Sequence, residues 1–583
     1  MRMVCAAMGA LIMVLEAGPA AAQVPPASVP TAPAQRNPVE LLAPQTPPRL
    51  SPGIEPPPLV PQTGPGAVAQ VRIGRISFTG NEALPDAALA EPVAGLAGAT
   101  VSLARIEEAR LGILRTYREA GYVFASVNAG LTPQPDGSAD LVFAVVEGFV
   151  AEVKLDGDIG PAATQVLRFL NRLVGQRPVS TGAIERALLL ASDIPGVTVR
   201  GTLRPLQTEP GALQLIAHVE RRWFSGYFNL DNRGYRLVGP LQALLVVGAN
   251  SFTEYGERTE LALFGAQDST QWFTQASVEA FLGGSGLRLR IYGGAGETRP
   301  SGSLREIGYY GYTTVAGISA TYPLLRSRAA NLYLSGSFDA FDGEIETGTA
   351  GRTRASRDAI RTFRFGSDGQ LLERWLLPWL PAATTLGGLR LHQGIEALGA
   401  TTNGYPLSGR SGNEDFGFTK LTAELQRTQP LFSPFDGAMV SIQGQLVGQW
   451  TDDVLPQAEK CYLGGSRLGR GFYAGQVTGD KCWGYGVELQ LDIGYELPIT
   501  PALGDNRFNS QFYVFRDFER AYENLSTDPD RRLSSWGGGV RTVVSDTVQI
   551  DLEGVHRETV RPDGAQADRL KETAFFFRTL IRF

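Results

Sequence analysis

The residue types best suited to chemistry or binding are concentrated in one glycine-rich stretch, CYLGGSRLGRGFYAGQVTGDKC (residues 461–482). Five glycines are spaced through its central part, and glycine allows the backbone conformations that a folded-back loop needs. One interpretation is a long loop that enters a pore, with Arg470, Gly471 and Phe472 near its tip. The alternative is an ordinary hairpin that connects two strands at the surface.

A carboxylate farther along the chain is the candidate partner of this loop. In QFYVFRDF, Asp517 lies on the same side of a predicted strand as Tyr513 and Phe515. A carboxylate and a guanidinium such as that of Arg470 can form a two-point ion pair. Removing one member of a sequestered pair costs about 3–5 kcal/mol, because the other charge is left without a partner. The alternative is that Asp517 is one of many solvated charges.

Signs of catalysis are weak in this sequence. His218, His392 and His556 are isolated, and their spacing does not fit a metal site. The sequence has neither the phosphate-binding pattern G-x-x-x-x-G-K nor a nucleophile elbow. A net charge of -6 argues against a nucleic-acid partner. We therefore expect neither an enzyme, nor a cofactor- or metal-dependent protein, nor a nucleic-acid binder.

From about residue 223 onward, the chain is predicted to form strands only. Val487, Leu489 and Leu491, for example, alternate with three polar residues, Glu488, Gln490 and Asp492. A packed core would not accept charged side chains on one face of a strand, whereas a membrane β-barrel is apolar outside and polar inside. The region suits about sixteen strands with their connections, although fourteen or eighteen would also fit.

The last predicted strand, KETAFFFRTLIRF (571–583), alternates in the same way. A soluble sandwich would need a second sheet to cover its apolar face, whereas in a barrel this face meets lipid and the strand closes the cylinder. We also expect the same side chains to form the signal that the barrel-assembly machinery reads, namely Phe575, Phe577, Ile581 and Phe583.

Two segments before the barrel, 71–148 and 149–222, share the predicted order strand, helix, helix, strand, strand. The predicted helices lie at about 85–93 and 103–120 in the first segment, and near 161–174 and 181–192 in the second. Both first strands end in a similar turn, FTGN and LDGD. The repeat predicts two small α+β domains in tandem.

The first 70 residues are predicted to be a targeting segment and a leader. An apolar run from Val4 to Leu15 follows Arg2 and precedes a row of alanines, which is typical of a signal peptide ending near residue 22. Residues 23–70 are rich in proline and are expected to remain extended.

Export leaves two cysteines in the mature chain, Cys461 and Cys482, which flank the glycine-rich stretch. An even number of cysteines in an oxidising compartment predicts a disulfide, which would stabilise the base of the loop by about 3 kcal/mol. The alternative is two unpaired thiols.

The loop and the two small domains together resemble a known superfamily. Arg470, Gly471 and Phe472 within LGGSRLGRGF resemble the Arg-Gly-Phe/Tyr motif of outer-membrane protein insertases and transporters. The two domains resemble polypeptide-transport-associated (POTRA) domains. Three stretches are similar to the POTRA domains of two-partner secretion transporters (TpsB) of the haemolysin secretion/activation type: YREAGYVFASV, PDGSADLVFAVVEG and ERALLLASDIPGVTVRGTLRP.

This resemblance covers residues 71–583 and implies a sixteen-stranded barrel whose motif loop folds into the lumen, with Arg470 contacting Asp517. Gly469 and Phe518 depart from the family pattern, which has valine and glycine there, and we expect both to loosen the local fit. Family members often carry an N-terminal helix that plugs the pore. The proline-rich leader argues against a long helix here and leaves VELLA (39–43) as the candidate turn.

The resemblance implies an outer-membrane transporter of a Gram-negative bacterium, with its POTRA domains in the periplasm. It would secrete a large partner exoprotein (TpsA type, an adhesin or haemolysin) through the barrel lumen. Other expected partners are outer-membrane lipid and, during biogenesis, the barrel-assembly machinery and periplasmic chaperones. The rival functions are insertion of membrane proteins at the barrel seam and passive diffusion of small solutes through a porin.

Overall fold

The structure, a computed structural model, describes residues 38–39, 69–466, 468–496, 507–545, 547–560 and 570–583. The predicted signal peptide and most of the predicted leader lie outside the described residues.

The first small domain has a four-stranded sheet in the order β2-β1-β4-β3, packed against one long helix. The helix begins after Ser102, whose hydroxyl accepts a hydrogen bond from the backbone N–H of Arg105. The helix predicted at 85–93 is wrong, because this segment forms only a 3₁₀ turn and Pro92 disfavours helical backbone in the residue before it. The elements are β1 (Gln70–Thr79), the 3₁₀ turn (Asp86–Leu89), β2 (Thr100–Ser102), α1 (Leu103–Glu119), β3 (Ser126–Pro133) and β4 (Ala139–Val146).

The second small domain has a three-stranded sheet in the order β5-β7-β6, covered by two helices. The helix predicted at 161–174 ends at Leu170 and continues as a 3₁₀ turn over Asn171–Leu173. The elements are β5 (Phe149–Asp156), α2 (Ala162–Leu170), α3 (Thr181–Ser192), β6 (Val197–Pro205) and β7 (Ala212–Arg221).

The described residues from Phe224 onward form a closed antiparallel barrel of sixteen strands, which confirms the predicted fold class. Two short strands, β19 (Cys461–Leu463) and β20 (Val477–Gly479), lie outside the barrel wall and pair with each other. The first eight wall strands are β8 (Phe224–Asp231), β9 (Gln242–Asn250), β10 (Arg258–Ala266), β11 (Gln271–Leu282), β12 (Leu287–Thr298), β13 (Tyr310–Arg326), β14 (Ala330–Thr347) and β15 (Thr353–Glu373). The other eight are β16 (Ala383–Gly394), β17 (Thr419–Phe432), β18 (Ala438–Trp450), β21 (Lys481–Glu496), β22 (Arg507–Tyr522), β23 (Arg531–Val544), β24 (Val548–Val560) and β25 (Leu570–Arg582). A short helix, α4 (Ser303–Glu306), lies between β12 and β13.

The last strand closes the barrel, as its alternating pattern predicts. β25 pairs with β24 on one side and with β8 on the other, and Phe583 exchanges two backbone hydrogen bonds with Gly226. Phe575 is 51 % exposed on the outer wall, whereas Phe576 is 1 % exposed inside. On β21, the outward-facing Val487 and Leu489 are exposed, whereas Glu488 and Gln490 face inward and are buried. The outer wall is apolar there and the inner wall carries the polar side chains, the arrangement of a membrane barrel.

The two small domains lie at the end of the barrel where β8 begins, here called the near end; the opposite end is the far end. Helices α2 and α3 contact the near-end connections. Asp193 accepts two hydrogen bonds from Arg326, at 2.7 and 2.8 Å, and Phe169 packs against Phe281. Among the described residues, no helix is both long and apolar enough to cross a membrane.

Candidate functional site

The connection between β18 and β21 folds into the barrel, and its part from Cys461 to Cys482 is called the lumen loop. Its two ends are tied together by the β19–β20 pair and by a disulfide between Cys461 and Cys482, whose Cα atoms are 6.3 Å apart. The structure thus brings together the two cysteines that flank the loop in the sequence.

The tip of the lumen loop is held by an ion pair between Arg470 and Asp517. One carboxylate oxygen of Asp517 accepts hydrogen bonds from the backbone N–H and from Nε of Arg470, both at 3.1 Å, and the other accepts one from Nη2, also at 3.1 Å. Asp517 is 1 % exposed and Arg470 8 % exposed. Water therefore competes little for these bonds, and removing either residue would leave a buried charge without this partner.

A second carboxylate, Glu488, also binds Arg470 and was missed by sequence reasoning. It lies on β21, next to the strand that carries Asp517, and accepts a hydrogen bond from Nη1 of Arg470. Arg541 on β23 donates to both oxygens of Glu488, at 2.6 and 3.0 Å. The guanidinium of Arg470 also lies 4.0 Å from the ring centre of Phe515. The alternation of charged residues on β21 was visible in the sequence, but nothing in it joined Glu488 to a loop residue 18 positions earlier.

Two further arginines bind the carbonyl oxygens of the tip. Arg233, just after β8, donates to the carbonyl of Arg470, and Arg557 on β24 donates to that of Gly471 at 3.0 Å. Arg233 is itself paired with Glu553 at 2.5 Å. Side chains from β21, β22, β24 and the segment after β8 thus meet at two successive loop residues, Arg470 and Gly471.

The two residues that follow Arg470 in the motif fill tightly packed positions. Phe472 is fully buried among residues of the loop and the wall, including Leu463 and Leu533. A Cβ atom added to Gly471 would lie 2.5 Å from Cβ of Ser535, so a larger residue would push the tip away from β23. The motif therefore combines a charge, a close approach and an apolar anchor.

The two departures from the family pattern have different surroundings. Gly469 has a φ of +64°, and a Cβ atom there would lie 2.3 Å from a carboxylate oxygen of Glu519. Glu519, 1 % exposed, thus occupies the space that a valine side chain would need. Phe518 points to the outer wall, where its ring stacks 5.7 Å from that of Tyr485. We therefore find close packing around both residues where we expected a looser fit.

The leader fills part of the barrel interior that the lumen loop leaves open. A cavity of about 480 Å³ lies inside the barrel and is bordered by Pro38, Arg390, Lys420 and Glu519. Val39 packs against inward-facing side chains of β9 to β11. Val39 is the first residue of the predicted VELLA turn, and residues 40–43 lie outside the described residues. Part of the leader thus lies in the lumen.

A second buried arginine, Arg410, organises the far end of the barrel. It lies in the β16–β17 connection, is 7 % exposed, and donates to Asp480 at 2.7 Å, Glu523 at 3.2 Å and Asp528 at 2.9 Å. Lys460 donates to the other oxygen of Glu523 at 2.7 Å. These five residues, here called the far-end cluster, join three connections between strands.

Burial and charge act in opposite directions on the far-end cluster. Burial lowers the pKa of Arg410, but the carboxylates of Asp480 and Glu523 raise it more, so that its pKa lies above its usual range. Burial raises the pKa of Glu523 to about 7, against the opposing effect of Lys460. No motif marks this cluster in the sequence.

Two of the outer strands of the small domains, β3 and β6, have open edges of unequal length. On β3, the backbone N–H and C=O groups of Ala129 and Leu131 point away from β4 and are open for pairing. At the two ends of this edge, Arg110 already donates to the carbonyl of Val127 at 3.2 Å, and Pro133 has no N–H. On β6, the backbone groups that point away from β7 belong to Val199, Gly201 and Leu203. The second domain therefore offers the longer edge for pairing with another strand.

Comparison with known proteins agrees with this architecture. Residues 374–542 match the family described as haemolysin secretion/activation protein ShlB/FhaC/HecB, and residues 71–148 match the POTRA family, described as surface antigen variable number repeat. The heme/hemopexin transporter protein HuxB of Haemophilus influenzae (strain 86-028NP) is 22% identical over 463 residues, which are 78% of this chain and 77% of that relative.

Two solved structures share the fold of the whole molecule. CdiB from Escherichia coli has a TM-score of 0.69 at 17% identity and covers 92% of this chain and 94% of its own. CdiB from Acinetobacter baumannii has a TM-score of 0.62 at 16% identity, with 93% and 95% covered. These matches confirm the resemblance seen in the sequence: the chain is similar to two-partner secretion transporters and has the same plan of POTRA-like domains followed by a β-barrel.

Proposed function

We propose that this protein secretes one large partner exoprotein, of the adhesin or haemolysin type, from the periplasm to the cell surface. The near end, with its two POTRA domains, faces the periplasm, and the far end faces the outside. The observation that carries the proposal is the lumen loop, which occupies the interior of the barrel and whose tip is bound to the wall by buried ion pairs.

The partner first meets the POTRA domains. An extended segment can pair with an open strand edge, because the edge supplies unpaired N–H and C=O groups in register. The edge of β6 favours the second domain for this step, since Arg110 and Pro133 shorten the edge of β3. The contacts of α2 and α3 with the barrel hold this domain at the near-end opening.

The segment then passes through the lumen, which the lumen loop and Val39 partly fill. Passage requires the tip to leave the wall, so Arg470 must exchange Asp517 and Glu488 for other polar groups or water. We assign Arg470 and Asp517 a structural role: they hold the loop in the conformation from which it can open, so that a variant without the pair loses the arrangement from which secretion starts. The periplasm has no ATP, so the energy comes from another source, such as folding of the partner outside the cell.

Secretion by cells that carry the wild-type protein, Arg470→Ala or Asp517→Ala tests this proposal. A matched control is Arg390→Ala, because Arg390 is a lumen-wall arginine paired with Asp368 on the neighbouring strand. Heat-modifiable gel mobility shows whether each barrel has folded. We expect the two loop variants to fold but to leave the partner in the periplasm, while the control secretes it. Equal secretion by all four proteins would overturn the proposal.

The alternative function is insertion of other membrane proteins at the seam between β25 and β8, and the match to the haemolysin secretion/activation family does not favour it. The two functions differ in their deletion phenotype. Loss of a secretion transporter removes one exoprotein from the surface, whereas loss of an insertase lowers the amounts of many outer-membrane proteins.

A further inference from the structure

The β15–β16 connection carries two of the most exposed large apolar side chains of the described structure. Its sequence is RWLLPWLPA (374–382), and it is the longest of the described near-end connections. Trp375 is 73 % exposed, Trp379 75 % and Leu376 51 %. Exposed apolar side chains of this size, when they lie close together, commonly mark a surface that a membrane or another protein covers.

The connection folds back against the outer wall of the barrel. The side chains of Glu373 on β15 and Gln429 on β17 occupy outward-facing positions of the barrel wall. They are nevertheless only 7 % and 5 % exposed, because the connection lies over them. Glu373 accepts a hydrogen bond from the backbone N–H of Leu376 at 3.2 Å, and Gln429 donates to the carbonyl of Pro381 at 2.9 Å. Both ends of the connection are thus fixed, and its tryptophans point away from the barrel.

The height of the connection along the barrel follows from the outward-facing residues around it. Leu371, Leu425 and Ile442 are lipid-facing side chains, between 37 % and 46 % exposed. On β15, β16 and β17, the outward positions nearer to the near end become polar: Arg427 pairs with Glu373 and donates to Thr385 at 2.9 Å. A change from apolar to charged residues on the outer wall marks the edge of the hydrocarbon layer. The connection therefore lies at the level of the lipid headgroups.

Neighbouring connections extend the same surface around the barrel. Phe432 and Phe435, by the β17–β18 connection, are 58 % and 53 % exposed, and Leu324, by the β13–β14 connection, is 52 % exposed. Arg374 adds an exposed positive charge beside Trp375. Tryptophan and arginine both favour the headgroup layer, where an apolar body meets lipid and a polar group meets phosphate or water.

We propose that the 374–382 connection is a membrane anchor that inserts Trp375 and Trp379 into the phospholipid headgroup layer of the leaflet beside the POTRA domains. The anchor holds the barrel at a fixed height on the side where the longest wall strands lie, β13 to β15. Continuity of this surface with the lipid-facing wall supports the anchor, which does not depend on the secretion function.

Depth-dependent fluorescence quenching tests the anchor in the full chain reconstituted into vesicles of phosphatidylethanolamine and phosphatidylglycerol. Three single substitutions, Leu376→Cys, Leu389→Cys and Asp136→Cys, each carry an environment-sensitive label, with the native disulfide left oxidised. Leu389 is a lipid-facing residue of β16, and Asp136 lies in an exposed turn of the first POTRA domain. The label at 389 therefore reports on the hydrocarbon layer, and the label at 136 reports on water.

We expect the label at 376 to emit at shorter wavelength than the label at 136. It should be quenched more strongly by a phospholipid with a nitroxide near the headgroup than by one with a nitroxide deep in the acyl chain. The label at 389 should show the opposite preference. Quenching of the 376 label by aqueous iodide alone, as expected at 136, would overturn the proposal, because the surface would then face water and be free for a periplasmic protein. Quenching like that at 389 would also overturn it.

A second measurement avoids an introduced cysteine. In the double variant Trp375→Phe/Trp379→Phe, native tryptophan fluorescence should lose a clear part of its quenching by the headgroup nitroxide. Unchanged quenching in a correctly folded barrel would show that these two residues lie outside the headgroup layer.

Discussion

Two buried arginines, Arg470 in the lumen and Arg410 at the far end, hold this molecule together in different ways. They are similarly exposed, at 8 % and 7 %, and each binds at least two carboxylates. The acceptors of Arg470, Asp517 and Glu488, lie on neighbouring wall strands. The acceptors of Arg410 lie on connections: Asp480, Glu523 and Asp528.

The difference shows what each arginine constrains. Arg470 joins one loop to a wall whose strands hold their register through backbone hydrogen bonds, so its release frees the loop and leaves the barrel intact. Arg410 joins three connections to one another, so its release loosens the packing of these connections at the far end. In the proposed function these two tasks are separate, since the loop moves for passage while the barrel stays closed to lipid.

The largest effect is expected for Arg410→Ala, which leaves Asp480 buried without its guanidinium partner. Losing one member of such a buried pair costs about 3–5 kcal/mol, which here should appear as easier local opening of the far-end connections. Hydrogen exchange of residues 451–460 and 523–530 measures this opening. Arg299→Ala, which breaks an exposed pair with Glu297, serves as the control and should change little.

Secretion in the same variants sharpens the comparison. We expect Arg410→Ala to retain secretion and Arg470→Ala to lose it. If both variants stop secretion to the same degree, the two clusters act as one unit and their tasks are not separate.

A smaller effect is expected when the disulfide is removed by Cys461→Ser/Cys482→Ser. The bond closes a loop of about twenty residues, and its loss should lower stability by about 3 kcal/mol. The temperature at which the folded gel band converts to the unfolded one should fall, and reductant should have the same effect on the wild type. A wild-type transition that is insensitive to reductant would contradict this prediction.

Gly469→Val restores the residue of the family pattern and should destabilise the loop. Its side chain would meet the carboxylate of Glu519, and a β-branched residue is strained at a φ of +64°. Overpacking of this kind costs about 1–3 kcal/mol. Adding Glu519→Ala to the same chain should recover part of the loss. A stabilising effect of Gly469→Val alone would show that Glu519 moves aside at no cost.

The smallest effect is a dependence of the far-end cluster on pH. The pKa of Glu523 is raised from 4.5 to about 7, so its burial is least costly when it is protonated. Its contribution to stability is therefore full below about pH 4.5 and falls as pH rises through about 7. Hydrogen exchange of residues 523–530 should be slower at pH 6 than at pH 8 after correction for intrinsic rates. Glu523→Gln should remove the difference, whereas an unchanged difference would contradict the assignment.

Much of the architecture could be predicted because it depends on local pattern. The two-residue alternation in β21 and β25 gave the barrel and its inside-out polarity, since each strand must face lipid on one side and water on the other. The helix predicted at 181–192 coincides with α3, which has a serine cap at its start. The helix predicted at 85–93 is wrong, because a favourable proline at its start, Pro85, does not compensate for a second proline, Pro92, within the segment.

The candidate site was predictable where it rests on a motif, and unpredictable where it rests on residues brought together by folding. Arg470, Gly471, Phe472 and Asp517 could be named from the motif and from strand alternation. Glu488, Arg233 and Arg557 lie far apart in the chain, on other wall strands or just beyond them, and nothing in their neighbourhoods pointed to the loop tip.

By itself, the sequence determined the barrel, the two POTRA domains and the position of the lumen loop, because alternation, repeats and glycine spacing act within short stretches. Only the tertiary structure decided which charged side chains form ion pairs with one another. The closure of sixteen strands sets which wall residues face one another across the lumen, and the return of three connections over the far end gathers the cluster around Arg410. Ion pairs depend on distances in space, and those distances exist only after the barrel has closed.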